Sequence, residues 1–544
     1  MSPHARLRGQ EKTVITLSPV KNKVSDASSD PYAYPWSNRI LLASLLGIAL
    51  LTLAPFRFDF HLRLPSHRFD PFLLGPFQKS IGILDSFLNV LLFIPFGFGL
   101  SSQMRQRKWS WVSVFVFAFI GGVLCSYTVE ILQFYIPGRN SGWVDVVTNS
   151  TGSLVGAVIL RQWGGILRQR FLRWEWLVRD WLSLRRITLI LLSYLGLCFA
   201  ISIPLQQKTR LSNWTADSRL VIGGPGDEQH PWRGKVFSLQ IWDRALTDDL
   251  ARQLTMNDPV PGVDADPLAS YDFSASPPIE DQKKFLPPLI RESDASVSMT
   301  SQALEFNGNS ELSSKVPVRN LTKRLQKTNQ FAMRIVCDPA AINGVSASIV
   351  SLEDESGVTN LRVWQEGADF YFWLRNPLSV KRAYLDFKAS HVFAPDQMRT
   401  ILVSYDGSNV SIYVDGNKSP VPYSLGPGAI LVHQFIRIRA DELEGYRVVY
   451  YSGIFVLVGF LLGMTMRKMT MRNIASWFLL TVGFFVAPVL LEALLMHASG
   501  RAMSTGQVGL SMFLILLGAV LINFDGWTAG LARNRIRDKW GGAM

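Results

Sequence analysis

The chain has 544 residues, of which 48% are hydrophobic and only 18% are charged. That balance exceeds what one soluble core normally uses, so much of the apolar surplus is expected to face lipid. The formal net charge of +13 raises nucleic acid as a partner, but the basic residues flank apolar runs without any nucleic-acid motif; topology and anionic lipid headgroups account for them, and no nucleic acid is expected.

Eight apolar runs, at 38–54, 83–100, 111–134, 144–160, 187–204, 447–465, 474–493 and 509–524, approach the length needed to cross a bilayer. The predicted fold class is a polytopic α-helical membrane protein of about eight transmembrane helices with an inserted all-β jelly-roll sandwich. The polar tail 1–37 carries Arg6, Arg8, Lys12, Lys21 and Lys23 and lacks a small-residue cleavage site, so the first run is expected to remain as a signal anchor. Residues 38–160 form a first membrane unit, 161–186 a basic and aromatic connector, 187–204 a fifth span, 205–445 a large insert, 447–524 three further spans and 525–544 a basic tail.

Arg105, Arg107 and Lys108, the arginines of the connector, Arg467, Lys468 and Arg472, and Arg533, Arg535, Arg537 and Lys539 all fall on one side if the spans alternate. Short basic links are retained in the cytoplasm, which predicts a multi-pass protein of the cell (inner, cytoplasmic) membrane with both termini cytoplasmic and 205–445 extracytoplasmic. Arg57, Arg63, Arg68 and Lys79 in the link 55–82 run against this pattern. The connector interleaves arginines with Trp163, Phe171, Trp174, Trp176 and Trp181, which suits either an amphipathic helix lying in the inner interface or an ordinary loop helix.

Polar residues in the first four spans recur at helical spacing, where ionisable groups are costly. Asp85, Asn89 and Phe93 share a face; Glu130 and Gln133 share another; Asp145, Asn149, Gly152 and Gly156 form a stripe whose glycines let a neighbouring helix approach closely. Alternation places all the polar groups at the outer ends, with Arg139 in the link between the third and fourth runs. This D-x-x-x-N helix, the F-x-P-x-G that follows it, the E-x-x-Q helix and the later R, D, N and spaced glycines resemble the VanZ-like family over 38–160. The resemblance implies an association with resistance to the lipoglycopeptide teicoplanin and supplies no reaction.

The insert reads as antiparallel β. Phe237, Leu239 and Ile241 alternate with Ser238 and Gln240, and Leu361–Trp364 and Phe370–Leu374 flank Glu366-Gly367. Ile401, Val403 and Tyr405 lead into Asp406-Gly407, and Val410, Ile412 and Val414 into Asp415-Gly416. The stretch 401–418 resembles the paired strands of a laminin-G or concanavalin A-like jelly roll, 220–254 its closing strand and 303–314 its opening strand. The order implies a circular permutation, with a partial domain followed by a truncated second one as the alternative. Such domains often bind carbohydrate, sometimes with calcium. Trp214, Trp232, Trp364 and Trp373 are candidates for stacking on sugar rings, though core positions explain them as well, and Asp243 suits a turn better than a metal.

Cys125 and Cys198 fall in apolar runs and Cys337 stands alone in the insert, so neither a disulfide framework nor a zinc site is expected, and no metal ligand or other cofactor is assigned. Glu492, His497 and Arg501 are read as packing or snorkelling groups near a helix end.

Two classes of function follow. In one, Asp85, Asn89, Glu130, Gln133, Arg139, Asp145 and Asn149 bind a surface glycan or a lipid-linked envelope component, with Arg139 engaging a phosphate or carboxylate. In the other, Glu130 and Asp145 are the general acid and base of an envelope-modifying enzyme, although no recognised catalytic motif accompanies them. A structural scaffold, in which these groups satisfy one another, is the third possibility, and transport a minor one.

Overall fold

The computed structural model describes residues 34, 36–53, 58, 83–136, 142–223, 232–256, 266–274, 277–291, 298–299, 303–307, 311–340, 346–378, 385–395, 397–421, 423–434, 438, 440, 443–468 and 474–540. Apolar sequence becomes helix in each predicted run. The first four helices are α1 (Ser37–Leu53), α2 (Ile83–Gln106), α3 (Trp111–Phe134) and α4 (Trp143–Trp181), and α5 (Leu184–Gln207) leads into the insert. Among the described residues seven helices are long and apolar enough to cross a membrane, while α1 is a shorter apolar helix of 17 residues. Val112, Leu124 and Leu189 are exposed on the outside of these helices, as lipid-facing side chains are.

The 161–186 connector does not begin as a separate helix. It continues α4 without a break to Trp181, because Gly164 and Gly165 weaken the helix without the proline needed to interrupt it. At 39 residues α4 is about 58 Å long, far more than the ~30 Å hydrocarbon layer. Ser183 then caps α5, accepting the Arg186 N–H.

The insert opens with β1 (Arg219–Ile222), β2 (Arg233–Trp242) and α6 (Asp248–Met256). The short strands β3 (Ala269–Asp272), β4 (Leu289–Arg291), β5 (Ser298–Met299), β6 (Leu304–Asn307) and β7 (Leu312–Ser314) lead to α7 (Arg319–Thr328). Longer strands follow: β8 (Phe331–Pro339), β9 (Ser346–Glu353), β10 (Thr359–Glu366), β11 (Asp369–Leu374), β12 (Phe387–Ala389), β13 (Arg399–Tyr405) and β14 (Asn409–Val414). The strands β15 (Asn417–Lys418) and β16 (Tyr423–Ser424) and the helix α8 (Pro427–His433) close the insert.

They build two antiparallel sheets, ordered β12-β11-β10-β9-β1-β7-β4 and β15-β14-β13-β8-β2-β6-β5, with β16 on β14 and β3 on β2. β1 and β2, the first strands in the chain, lie in the middle of both sheets, and residues from Leu205 to Leu443 share one hydrophobic core. The insert is therefore one sandwich and not two partial ones. The Asp415-Gly416 hairpin has positive φ at both residues, 46° and 81°, as a two-residue primed turn requires. Phe237 departs from the expected alternation. A bulge between Val236 and Ser238 gives the inward place to Val236, which is buried, and leaves Phe237 half-buried.

The chain returns through α9 (Leu443–Lys468), then α10 (Ile474–Ser499), which contains one π-helical turn at Val482–Val486, and α11 (Thr505–Trp540). α9 and α11 run parallel in close register. Tyr451 meets Gln507, and a methyl group on Gly459 or Gly518 would strike the carbonyl of Ile515 or Val456.

Asn329 joins sandwich to bundle. Left-handed at φ 55°, it caps α7, accepts the Leu211 N–H at 2.9 Å through Oδ1, and donates through Nδ2 to the Ser499 carbonyl. Gln330 donates to the Gly500 carbonyl at 2.5 Å, and Thr209 donates to the Gly407 carbonyl at 2.6 Å.

Candidate functional site

The site is built where α2, α3 and α4 meet. α2 and α4 run parallel, with Gly152 against the Val90 carbonyl and Gly156 against the Ile94 carbonyl, so that any side chain at either position would strike backbone. Gly97 answers from the other side against the Ser153 carbonyl. α3 crosses in the opposite direction: Ser153 donates to the Ala118 carbonyl at 2.6 Å, and Asn149 Nδ2 to Ser126 Oγ at 2.8 Å. This contact fixes which faces of the helices look at one another.

The predicted stripe on α4 is then engaged residue by residue. Asp145 stands in the first turn of α4, where the helix dipole favours a carboxylate, and its Oδ1 accepts from Asn89 Nδ2 at 2.8 Å. Asn149 is 3% exposed, and among the described residues its Oδ1 has no hydrogen-bond partner. Glu130 is 1% exposed; its Oε2 accepts the backbone N–H of Gly142 at 2.9 Å, tying the end of α3 to the approach to α4. Gln133, one turn on, donates to the Thr52 carbonyl at 3.0 Å and so fastens α3 to α1.

Asn89 and Asp145 are thus brought together, while Glu130, Gln133 and Asn149 bind elsewhere along the same helices. Arg139, expected in the link between the third and fourth runs, lies outside the described residues, as does the side chain of Asp85, although α2 includes that position. Ser126, Gly142 and Thr52 were not singled out in the sequence. Ser126 precedes Glu130 by one turn and could have been found by extending the E-x-x-Q face, but the other two contribute only backbone groups, which leave no mark in a sequence.

Residues 40–168 match the VanZ/LLP1 family. The VanZ/LLP1 segment thus takes in all of the hydrogen-bonded polar groups just described together with the close-packed glycines, and stops short of the sandwich. No curated protein and no solved structure matches the chain significantly.

A second polar centre lies outside the VanZ/LLP1 segment. Arg501 and Glu492 are not snorkelling groups: their side chains are 3% and 2% exposed and form a two-point pair, at 2.5 and 2.8 Å. Arg501 also reaches Gln507 Oε1 at 3.1 Å, which accepts from Tyr451, and Glu492 accepts the Ser504 N–H at 2.8 Å. Burial works against the guanidinium charge, but the Glu492 carboxylate outweighs it and holds the Arg501 pKa above its usual value. Snorkelling fails here because the sandwich covers this helix end through Asn329 and Gln330.

In the sandwich, Trp214, Trp232 and Trp373 are buried, and the indole N–H groups of Trp214 and Trp232 donate to the Arg375 carbonyl and to Gln365. Trp364 remains half-buried on the outer face of its sheet, stacked on Tyr371 with ring centres 5.2 Å apart. Asp243 pairs with Arg324 at 2.6 Å. Among the described residues no group of three or more His, Cys, Asp or Glu side chains is placed to hold a metal ion.

Proposed function

We propose that the VanZ-like unit binds a polar component of the cell envelope, a surface glycan or a lipid-linked precursor, at the end of the bundle that carries the sandwich. Counting back from Gln207 across α5 and α4 returns the Glu130 and Asp145 ends of their helices to that end. We infer that it faces outward from the cell membrane, with 205–445 extracytoplasmic and both termini cytoplasmic. In support, the opposite end gathers cations: Arg105 and Arg161 both lie over Trp111, at 4.9 and 5.7 Å.

The observation that carries the reading is Asn149. An amide in a membrane helix with one oxygen unpartnered is costly unless something donates to it. A hydroxyl-rich headgroup that enters the bundle beside Asn149 would supply that donor. The association with teicoplanin resistance that the VanZ-like resemblance implies fits a protein acting at the cell envelope. The scaffold reading has its own support, since Asn89–Asp145, Gln133–Thr52 and Asn149–Ser126 each bridge two helices. The acid/base alternative, with Glu130 and Asp145 as the pair, is separated from binding by the same variants.

The sandwich is best read as a permuted laminin-G or concanavalin A-like domain. The 401–418 stretch supplies the β13–β14–β15 hairpins, and the early 220–254 stretch supplies strands central to both sheets.

The test is equilibrium binding of a polyprenyl-linked disaccharide to the full chain in nanodiscs. Asn149→Ala and Arg139→Ala are expected to weaken it about tenfold, the loss of one charge-assisted or buried hydrogen bond. Binding that survives Glu130→Gln and Asp145→Asn while a product disappears supports catalysis. Loss of folding in every variant supports the scaffold.

A further inference from the structure

We propose that the ligand of this polar cluster is carried on a hydrocarbon chain, and that the chain lies in a crevice between α1 and α3. The inference rests on the binding reading above and narrows it to lipid-linked ligands. The crevice measures about 380 Å³ and is lined by apolar groups, among them Leu45, Ile48 and Leu53 of α1 and Leu124, Cys125 and Val129 of α3. That volume is at the lower end of ligand sites in general. Its single hydroxyl, Thr128, donates to the Leu124 carbonyl of its own helix at 2.8 Å and asks nothing of an occupant.

What covers this crevice follows from its position. Leu124, at its mouth, is 62% exposed on a helix long and apolar enough to cross a membrane, so the medium outside is hydrocarbon. Helical spacing then connects it to the polar cluster. Ile48 is followed one turn later by Thr52, and Val129 by Gln133, and these two residues are joined by the Gln133–Thr52 hydrogen bond. Glu130 adjoins Val129 on the same turn, buried and bonded to Gly142. The lining of the crevice is thus apolar apart from Thr128, and the Gln133–Thr52 hydrogen bond stands just beyond it, one helical turn from Ile48 and Val129 toward the sandwich side.

A free glycan uses only one part of this surface, whereas an amphiphile uses both. A chain passing from bulk lipid into the crevice gains little by hydrophobic transfer, because both surroundings are apolar. It gains packing, and it holds the headgroup beside the cluster, which raises the local concentration of the headgroup.

The experiment uses the full chain in phosphatidylcholine nanodiscs and two probes: a polyprenyl-diphosphate disaccharide with a photoreactive group on its chain, and the same head without the chain. The expected result has the tail-free probe binding at least about a hundredfold more weakly. Leu124→Trp and Ala49→Phe, which fill the crevice, weaken the lipid-linked probe about tenfold, and cross-links fall on α1 and α3. Leu124→Trp changes an exposed side chain and leaves the core alone, so it reports even if Ala49→Phe does not fold. Equal binding of both probes, sensitive to Glu130→Gln but not to the filling variants, overturns the chain site and leaves the headgroup site standing. Cross-links spread evenly over all lipid-facing helices also overturn it. Failure of both probes to bind the unaltered protein removes the binding reading itself.

Discussion

The two membrane halves solve the same packing problem and differ in what they bury beside it. In each, two parallel helices approach until glycines meet backbone carbonyls: Gly152 and Gly156 between α2 and α4, Gly459 and Gly518 between α9 and α11. Beside the first pair lie neutral amides, hydroxyls and single carboxylates, whose hydrogen bonds are spread over four helices. Beside the second lies one closed ion pair, Glu492–Arg501, with Gln507 and Tyr451 completing it. The second centre is satisfied and covered by the sandwich; the first keeps an unpartnered Asn149 oxygen among the described residues. Similar backbone packing therefore supports a locked joint in one half and, in the other, a polar cluster with one hydrogen-bond acceptor left unpartnered among the described residues.

The largest effects should come from breaking the shared packing. Gly156→Val and Gly518→Val each force backbone apart, beyond the ~1–3 kcal/mol of ordinary overpacking. Thermal melts of purified protein should show each half lost separately. Next comes the locked joint. Arg501→Met leaves Glu492 buried and unpaired, at a cost of about 3–5 kcal/mol, and adding Glu492→Met should recover most of it. Full recovery by the double change would show that the pair fixes geometry more than it stabilises. If Arg501→Met melts like the unaltered protein, the joint is not locked.

Asn329→Ala removes two buried hydrogen bonds and places a Cβ residue without side-chain support at φ 55°, for about 2–4 kcal/mol. Asn329→Gly, which tolerates that φ, should lose less. Protease cleavage between sandwich and bundle reads the difference.

The smallest effect is that of pH on the sandwich. Burial pushes the Cys337 thiol up to about 12 and also raises the Tyr405 and Tyr413 hydroxyls. Their stabilising contribution is complete below the unfolded values, about 8.5 for Cys and 10 for Tyr, and is lost as pH rises toward the folded ones. At the acid end, burial raises Asp248 and Asp369, but hydrogen bonds, chiefly from Lys418 and Lys388, outweigh it and hold both carboxyls below the usual range. Their contribution is present above about pH 4 and fades as pH falls. Labelling of buried Cys337 by a thiol reagent should accelerate above about pH 9 as the sandwich loosens.

The comparison also explains what could be read in advance. Apolar runs announce helices because lipid selects composition over long stretches, and the Asp145–Asn149–Gly152–Gly156 stripe announces itself because one helix face repeats at fixed spacing. The hairpin turns at Asp415-Gly416 and Gly367 carry their own backbone requirement. By contrast, the bulge at Phe237 depends on β8, the partner strand, and the Gly142 and Thr52 backbone groups have no residue-type signature. For Glu492 and Arg501 the sequence leaves packing and snorkelling open, because the burial that decides for packing is imposed by a sandwich distant in sequence, which no local pattern around α10 records.

The central claim is that the first polar centre keeps hydrogen-bonding capacity that a ligand takes up, while the second is satisfied within the chain. The most direct measurement is the affinity of the full chain in nanodiscs for a polyprenyl-linked disaccharide, compared among the unaltered protein, Asn149→Ala, Glu130→Gln and the Arg501→Met/Glu492→Met pair. The account predicts binding weakened about tenfold or more by the first two changes and unaltered by the pair, with melting temperatures reported alongside. Binding indifferent to Asn149 and Glu130 but abolished by the Arg501 and Glu492 changes would contradict it.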